Sequence, residues 1–262
     1  KGDLQIQTNW TDGADSIEEM ARAAEENGLE YIAITDHTKG LAMTHGSDEK
    51  KLLRQMREID KLNASSSLRG GISRRSNPEG NTGLPRSLRS LAMTGRNFTI
   101  LKGAEVNIKK DGSLDIDDET LAKLDVVGAA IHSHFKLSKT EQTELLIRAI
   151  ENPQVDIIFH PTARIVTRRE PIDVDIEAIL KAAARTGTAM EINAHPWRLD
   201  LKDEHIRLAL KLGVKLVIDT DAHSVAELDY LEYGIGQARR AGATKSDILN
   251  TKPLKEFLQA LK

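Results

Sequence analysis

Glu30-Tyr31-Ile32-Ala33-Ile34-Thr35-Asp36-His37 is the stretch that decides the fold. A short apolar run, unbroken from Tyr31 to Ile34, gives way to polar residues. Such a run suits a strand buried on both faces, as in a parallel sheet, better than one with a wet side. The segment before it reads as a helix. Ser16 and Glu19 form a capping box, Ile17, Met20, Ala21 and Ala24 recur at helical spacing, and Gly28 stops the pattern.

Outward from this point the alternation repeats. Strands are expected at Asp3–Thr8, Glu30–Thr35, Phe98–Ile108, Asp125–Ile131, Val155–Phe159, Thr188–Ile192 and Val214–Asp219. Helical patterns lie at Leu52–Leu62, from the Ser138/Glu141 capping box to Pro153, along Ile176, Ile179, Leu180 and Ala183 up to Gly187, and at Leu201–Leu212 up to Gly213. About seven strand–helix units imply a closed parallel barrel or a doubly wound sheet. The barrel is favoured because each strand ends in polar residues at its C-terminal side, the rim where barrels build active sites.

Composition removes several functions. The 262 residues include no cysteine, which excludes disulfides, thiolate metal sites and thiol nucleophiles. Charged residues make up 29%, aromatics 3%, and the net charge is −3, so neither a basic coat nor base stacking is expected to be the main device. No apolar run reaches ~18 residues, so no membrane span is expected. No signal-peptide pattern follows Lys1, and the chain reads as cytoplasmic and as a fragment of a longer protein. One stretch breaks the alternation. Residues 63–97 hold seven serines, five glycines, six arginines and a single acid, and read as a flexible basic insertion in an otherwise single domain spanning 1–262.

The chemistry gathers at the strand ends. Five of the eight histidines, His37, His132, His134, His160 and His223, sit at or just after them, with His195 slightly further on. Asp36, Glu105 and Asp221 add carboxylates there, whereas His45 and His205 read as ordinary surface residues. A lone histidine in such a position is more often structural. Convergence of many on one rim points instead to metal. Imidazole and carboxylate without thiolate suit Zn²⁺, Mn²⁺ or Fe²⁺, and more than four such ligands imply two or three ions, a set that serves phosphoester hydrolysis. No Gly-x-Ser-x-Gly elbow or phosphate-binding Gly-x-x-x-x-Gly-Lys loop competes, and no serine has a supporting motif for a Ser-His-Asp triad.

Gly2–Thr8 with Thr11-Asp12-Gly13 resembles the opening motif of the PHP (polymerase and histidinol phosphatase) family. Ile34-Thr35-Asp36-His37, Gly103-Ala104-Glu105-Val106, Ile131-His132-Ser133, His160-Pro161-Thr162 and Asp221-Ala222-His223 resemble its remaining motifs, in order. Glu191-Ile192-Asn193-Ala194 and Arg198-Leu199-Asp200-Leu201 are similar to the C-terminal PHP domain of bacterial and archaeal family X DNA polymerases. The resemblance implies a distorted (β/α)₇ TIM-like barrel with up to three ions, a Mn²⁺-dependent or Zn²⁺-containing phosphoesterase acting on the 3′ ends of DNA, and an upstream polymerase domain. It implies that Glu105 bridges the first two ions and Asp221 belongs to the first. His132 and His160 complete the second site, and Asp12, His37 and His223 form the third. Arg164 and Arg198, just past ligand motifs, are candidates to hold a phosphate.

The opening motif departs from the family. Gln5-Ile6-Gln7 stands where the family has His-x-His, and both glutamines share one face of the first strand. The amide oxygen is a poor substitute for imidazole on Zn²⁺. Two occupied ions are therefore expected, with the first site weak or empty. Three functions remain open: an active phosphoesterase on DNA ends, an inert structural or DNA-binding domain, and a histidinol-phosphatase-like small-molecule phosphatase. For the basic insertion, the expected outcome of deletion is intact fold and metal binding with weaker DNA binding. The loss should be larger at low than at high salt, as oligonucleotide titrations at two ionic strengths would measure.

Overall fold

Seven parallel strands follow chain order around a barrel: β1 (Gly2–Ile6), β2 (Tyr31–Ile34), β3 (Thr99–Asn107), β4 (Val126–Ala130), β5 (Ile157–Ile158), β6 (Ala189–Asn193) and β7 (Leu216–Asp219). The computed structural model describes residues 1–72 and 98–261. Helices α1 (Ile17–Glu26), α2 (Glu49–Ile72), α3 (Asp118–Leu121), α4 (Lys139–Glu151), α5 (Ile176–Thr186), α6 (Asp203–Lys211), α7 (Leu231–Arg240) and α8 (Leu254–Ala260) accompany them. This is the (β/α)₇ TIM-like barrel that the resemblance implied, and the one of two architectures left by the alternation that the polar strand ends favoured.

Alternate residues of each strand go to different cores. Ala33, Leu101, Val126, Ala130, Ile157, Phe159, Ala189 and Val217 pack together inside the barrel. Their neighbours Ala104, Val106, Val127, Ala129, Ile158, Met190, Ile192, Leu216 and Ile218 belong to the layer under the helices. Burial on both faces is why these strands read as continuous apolar runs. The barrel floor is tightly filled. A side chain at Gly128 would lie 1.8 Å from the Phe159 ring, so only glycine fits beneath it. Helix α8 closes the bottom, with Phe257 stacked on Tyr31 at 5.2 Å between ring centres.

Closure between β1 and β7 rests largely on side chains. One backbone bridge joins Ile6 to Ala222, and Gln7 N–H donates to the Ala222 carbonyl at 2.8 Å. Elsewhere Leu4 N–H donates to Asp219 Oδ1 at 2.8 Å, and the Thr220 N–H and hydroxyl donate to Asp3 at 3.1 and 2.6 Å. Asn250 bonds both backbone groups of Ile218, the Gly2 carbonyl and Asp219. A register shift between Asp3 and Ile6 changes the phase of β1. Leu4 thereby joins the inner core while Gln5 and Gln7 enter the cavity above it.

The helix before the expected insertion runs further than composition suggested. Helix α2 runs through Asn63 to Ile72, and Asn63 bonds both backbone groups of Ile100, tying helix to strand. Serine- and glycine-rich composition gave no apolar stripe there, but a helix already nucleated at Glu49 propagates past it. The remainder of the basic stretch, 73–97, lies outside the described residues, and a deletion is best started after Ile72. Helices α3, α7 and α8 were not foreseen.

Burial pushes the Asp3 carboxyl up to about 6 against its hydrogen bonds from Thr220 and Gln5. A folded pKa above the unfolded value stabilises the folded state at low pH, and that stability is lost as pH rises through about 6. Asp3→Asn keeps an acceptor for Thr220 and removes the buried charge. Urea denaturation should show the variant more stable than the parent by about 1–3 kcal/mol at pH 8, with the difference shrinking by pH 5.

Candidate metal centre

Glu105 lies at the centre of the C-terminal rim. Pairing of β2 with β3 continues past Ile34, and His37 bridges directly to Glu105. The Glu105 carboxylate is fully buried. Its Oε1 is 2.7 Å from His160 Nε2 and 2.9 Å from His132 Nε2. Its Oε2 accepts from Gln5 Nε2 at 2.9 Å and Gln7 Nε2 at 2.8 Å, and lies 3.7 Å from His37 Nδ1. Burial works against this carboxylate, but His37, His160 and His132 outweigh it and hold its pKa well below the usual range.

A second group adjoins the first. Asp12 Oδ2 is 3.7 Å from both His37 Nε2 and His223 Nε2. Each of the sets Asp12/His37/His223 and His37/Glu105/His132 offers ligand atoms within 4.8 Å of one another. His37 thus faces both groups, one through each ring nitrogen. Its pKa is lowered by burial, and that of His160 falls to about 4 through burial and the nearby Arg198, shifts that favour the neutral, ligating form.

The donor set fits divalent cations. His132 Nδ1 lies 2.7 Å from Asn107 Oδ1, and His223 Nδ1 lies 2.8 Å from the Asp221 carbonyl. Those acceptors place the proton on Nδ1, so both Nε2 lone pairs face the cavity. His132 Nε2 is close to Glu105 but not directed as a hydrogen bond, and it and His37 Nδ1 are buried without a hydrogen-bond partner among the described residues. Buried imidazole nitrogens aimed at a carboxylate are what a cation would satisfy. Zn²⁺ and Mn²⁺ both accept this mixture of imidazole and carboxylate.

The position expected for the first ion is lined differently. Asp221 Oδ2 accepts from Arg198 Nε at 2.8 Å and Asn193 Nδ2 at 3.1 Å. Burial opposes ionisation of Asp221, yet Arg198 lowers its pKa. Asn193 also donates toward Gln5 Oε1 at 3.1 Å. Two amides on Glu105 Oε2 and a guanidinium with an amide on Asp221 Oδ2 therefore take up one oxygen of each carboxylate of this site.

Several expectations need correction. Asp36 is not a ligand: Thr8 N–H, the Thr8 and Thr11 hydroxyls and Gln55 Nε2 all donate to it, fixing the loop that presents Asp12. Arg164 is turned from the cavity, its Nε and one Nη donating to the carbonyls of Arg198 and Leu199 and bracing the loop that carries Arg198. His134 is exposed and outside either ligand group. His205 is half-buried, and burial lowers its pKa to about 4, so it is not an ordinary surface residue. Sequence reasoning missed Asn107 and Glu191 as supports. Glu191 Oε2 accepts from the His160 N–H and holds the turn at that ligand. Strand alternation carried the signal, since Asn107 is two residues past Glu105 and Glu191 two before Asn193.

The PHP domain profile matches residues 3–195. The chain belongs to the PHP domain family. Among curated relatives, this PHP chain is 40% identical over 262 residues to DNA polymerase/3′-5′ exonuclease PolX of Bacillus subtilis, covering all of the chain and 41% of that protein. It spans well under half of that relative's length. It is 35% identical over 175 residues to a probable phosphatase of Thermoanaerobacter sp., covering 62% of the chain and 69% of the relative. Among solved structures, histidinol phosphate phosphatase from Lactococcus lactis, complexed with zinc, L-histidinol and phosphate, superposes with a TM-score of 0.61 at 16% identity, over 93% of this chain and 94% of that one. At that identity the likeness concerns the fold. No helix among the described residues is long and apolar enough to cross a membrane.

Asn107 gives the site a direct test. Asn107→Leu removes the acceptor that fixes the His132 ring, and Mn²⁺ or Zn²⁺ affinity in calorimetric titration should fall about 10–100-fold with the fold unchanged by circular dichroism.

Proposed function

We propose that the chain is a metal-dependent phosphoesterase acting on DNA ends, of the 3′-5′ exonuclease type, within a longer family X DNA polymerase. The observation that carries this reading is the buried Glu105 carboxylate, faced by His132, His160 and His37, with Asp12 and His223 beside it. The match of all 262 residues to 41% of the B. subtilis polymerase/exonuclease supports DNA as substrate and a polymerase domain as neighbour.

Glu105, His132 and His160 would hold one ion, and Asp12, His37 and His223 another. Ions there, Mn²⁺ or Zn²⁺, supply a water acidic enough to ionise near neutral pH and neutralise charge on the phosphorus oxygens. The protein's own part is orientation and charge. Asn107 and the Asp221 carbonyl fix the tautomers of His132 and His223. Arg198 is half-buried and has Nη1 without a partner among the described residues, a donor left for a phosphate oxygen. Asp221 holds that guanidinium in place.

The first metal position is degenerate in this reading. Gln5 and Gln7 donate N–H groups into Glu105 Oε2, where two imidazoles would offer lone pairs to an ion. The same observation favours the second reading, an inert PHP domain that supports the polymerase or binds DNA. Fold likeness alone supports a histidinol-phosphatase-like activity, the weakest of the three.

Elemental analysis beside exonuclease and p-nitrophenyl phosphate assays with added Mn²⁺ separates the readings. Two ions per chain and release of nucleotides from 3′ ends are expected. Bound metal without turnover of either substrate would leave the inert reading. His160→Ala should lose metal and hydrolysis together. Replacing both Gln5 and Gln7 with His should add one ion per chain and raise the hydrolysis rate. Unchanged stoichiometry in that double variant would mean the first position is not a vacated metal site.

A further inference from the structure

Aromatic residues are scarce in this chain, and their placement is uneven. Tyr31, Phe159 and Phe257 are fully buried. Trp197 and Tyr233 are the large aromatics standing exposed, at 53% and 46%. They end one row of rings. Trp197 lies 5.9 Å from His195, His195 lies 5.1 Å from Tyr230, and Tyr230 lies 5.9 Å from Tyr233. The proposed mechanism uses none of these rings.

The row starts beside the metal ligands. Asn193 and Arg198, which flank the His195–Trp197 loop, both touch Asp221 Oδ2. The loop is braced as well. Val166 N–H donates to the Trp197 carbonyl at 2.6 Å, and Arg164 Nε donates to the Arg198 carbonyl at 2.7 Å. The indole is thus an exposed apolar surface held one residue from a half-buried arginine of the site. A mobile surface tryptophan would lose more freedom on binding a ligand.

Charge distinguishes the two ends of the row. Arg168 places its guanidinium 4.1 Å from the Trp197 ring centre, and Arg169 lies at the same turn. Around Tyr230 and Tyr233 the sequence supplies Glu227, Asp229 and Glu232. A polyanion is attracted to the Trp197 end and repelled by the other. One face of the indole is covered by arginine, and an exposed ring so placed suits a flat, polarisable group attached to phosphate.

We propose that Trp197, backed by Arg168, is a stacking platform for a nucleobase of single-stranded nucleic acid whose phosphodiester lies at the Glu105 site. The platform deepens the phosphoesterase reading and rests on it for the position of the phosphodiester. It selects a nucleotide strand over a phosphate ester without a base. Sequence composition pointed away from stacking, but one ordered ring at the rim suffices for one base.

Fluorescence tests it on the whole 262-residue chain carrying Trp10→Phe, which leaves Trp197 as the single tryptophan. Titration with single-stranded oligothymidylate is expected to quench Trp197. By anisotropy of a labelled oligonucleotide, Trp197→Ala should bind roughly 10-fold or more weakly, and Trp197→Phe should keep most of the affinity. Mn²⁺ binding by calorimetry should be the same in all three proteins. Failure of the phosphoesterase reading would appear as absent hydrolysis with quenching intact. Failure of the platform would appear as wild-type oligonucleotide affinity in Trp197→Ala, or as no binding by the parent. Unchanged affinity with a dimer-to-monomer shift in sedimentation would instead assign the surface to contact between copies of the chain.

Discussion

A single carboxylate, Glu105, constrains the rest of the rim. It is buried where an isolated charge is very costly, so it persists only with donors or cations around it. The structure supplies two kinds of partner, with the His37 ring 3.7 Å from the same oxygen as the amides. Imidazoles from the ends of β4 and β5 face Oε1, and amides from β1 meet Oε2. The imidazoles carry lone pairs that an ion can share. The amide N–H groups cannot serve an ion, because their hydrogens already point at the oxygen. The same residue therefore presents one side suited to metal and one side already satisfied by protein.

The seam between β1 and β7 belongs to the same problem. Gln5 and Gln7 reach Glu105 only because β1 changes phase below them, and that phase change interrupts regular pairing. Asp3, Asp219 and Asn250 replace ladder hydrogen bonds there. The result is a band of buried acids under the site. Burial, with mutual repulsion, raises the pKa of Glu191 and Asp219 well above the carboxylate range. Neutral acids hydrogen-bond without adding to the negative charge above them.

Strand order, the two-faced burial and the convergence of Glu105, His37, His132 and His223 were legible because period-2 alternation and strand ends are sequence properties. His160 shows where that logic stops. Ile157 and Phe159 face inward, so alternation sends His160 outward, yet a backbone φ of +29° turns its ring to Glu105. Alternation fails at a left-handed residue, and nothing in His160-Pro161-Thr162 announces one. Arg198 and Arg164 were legible as site residues but not in their partners, because a half-buried arginine is oriented by its nearest acceptor in space and sequence order does not reveal it. The end of α2 was misread since composition records propensity, whereas Asn63 is held by a tertiary contact to Ile100.

Charge balance limits the ions the rim can hold, whether amide or imidazole stands at positions 5 and 7. Imidazole and amide are both neutral, so the exchange leaves the formal charge of the rim unchanged. Asp12, Glu105 and Asp221 contribute three negative charges, and Arg198 returns one positive charge next to Asp221. Two divalent ions on that background leave an excess of two positive charges. A phosphodiester carries one negative charge and a hydroxide nucleophile another, which together cancel the excess. A third ion would add two further positive charges, which additional anionic ligands such as hydroxide would have to offset. With Arg198 bound to Asp221 and the amides bound to Glu105, the two ions of the proposed reading would meet a singly charged ester at neutrality.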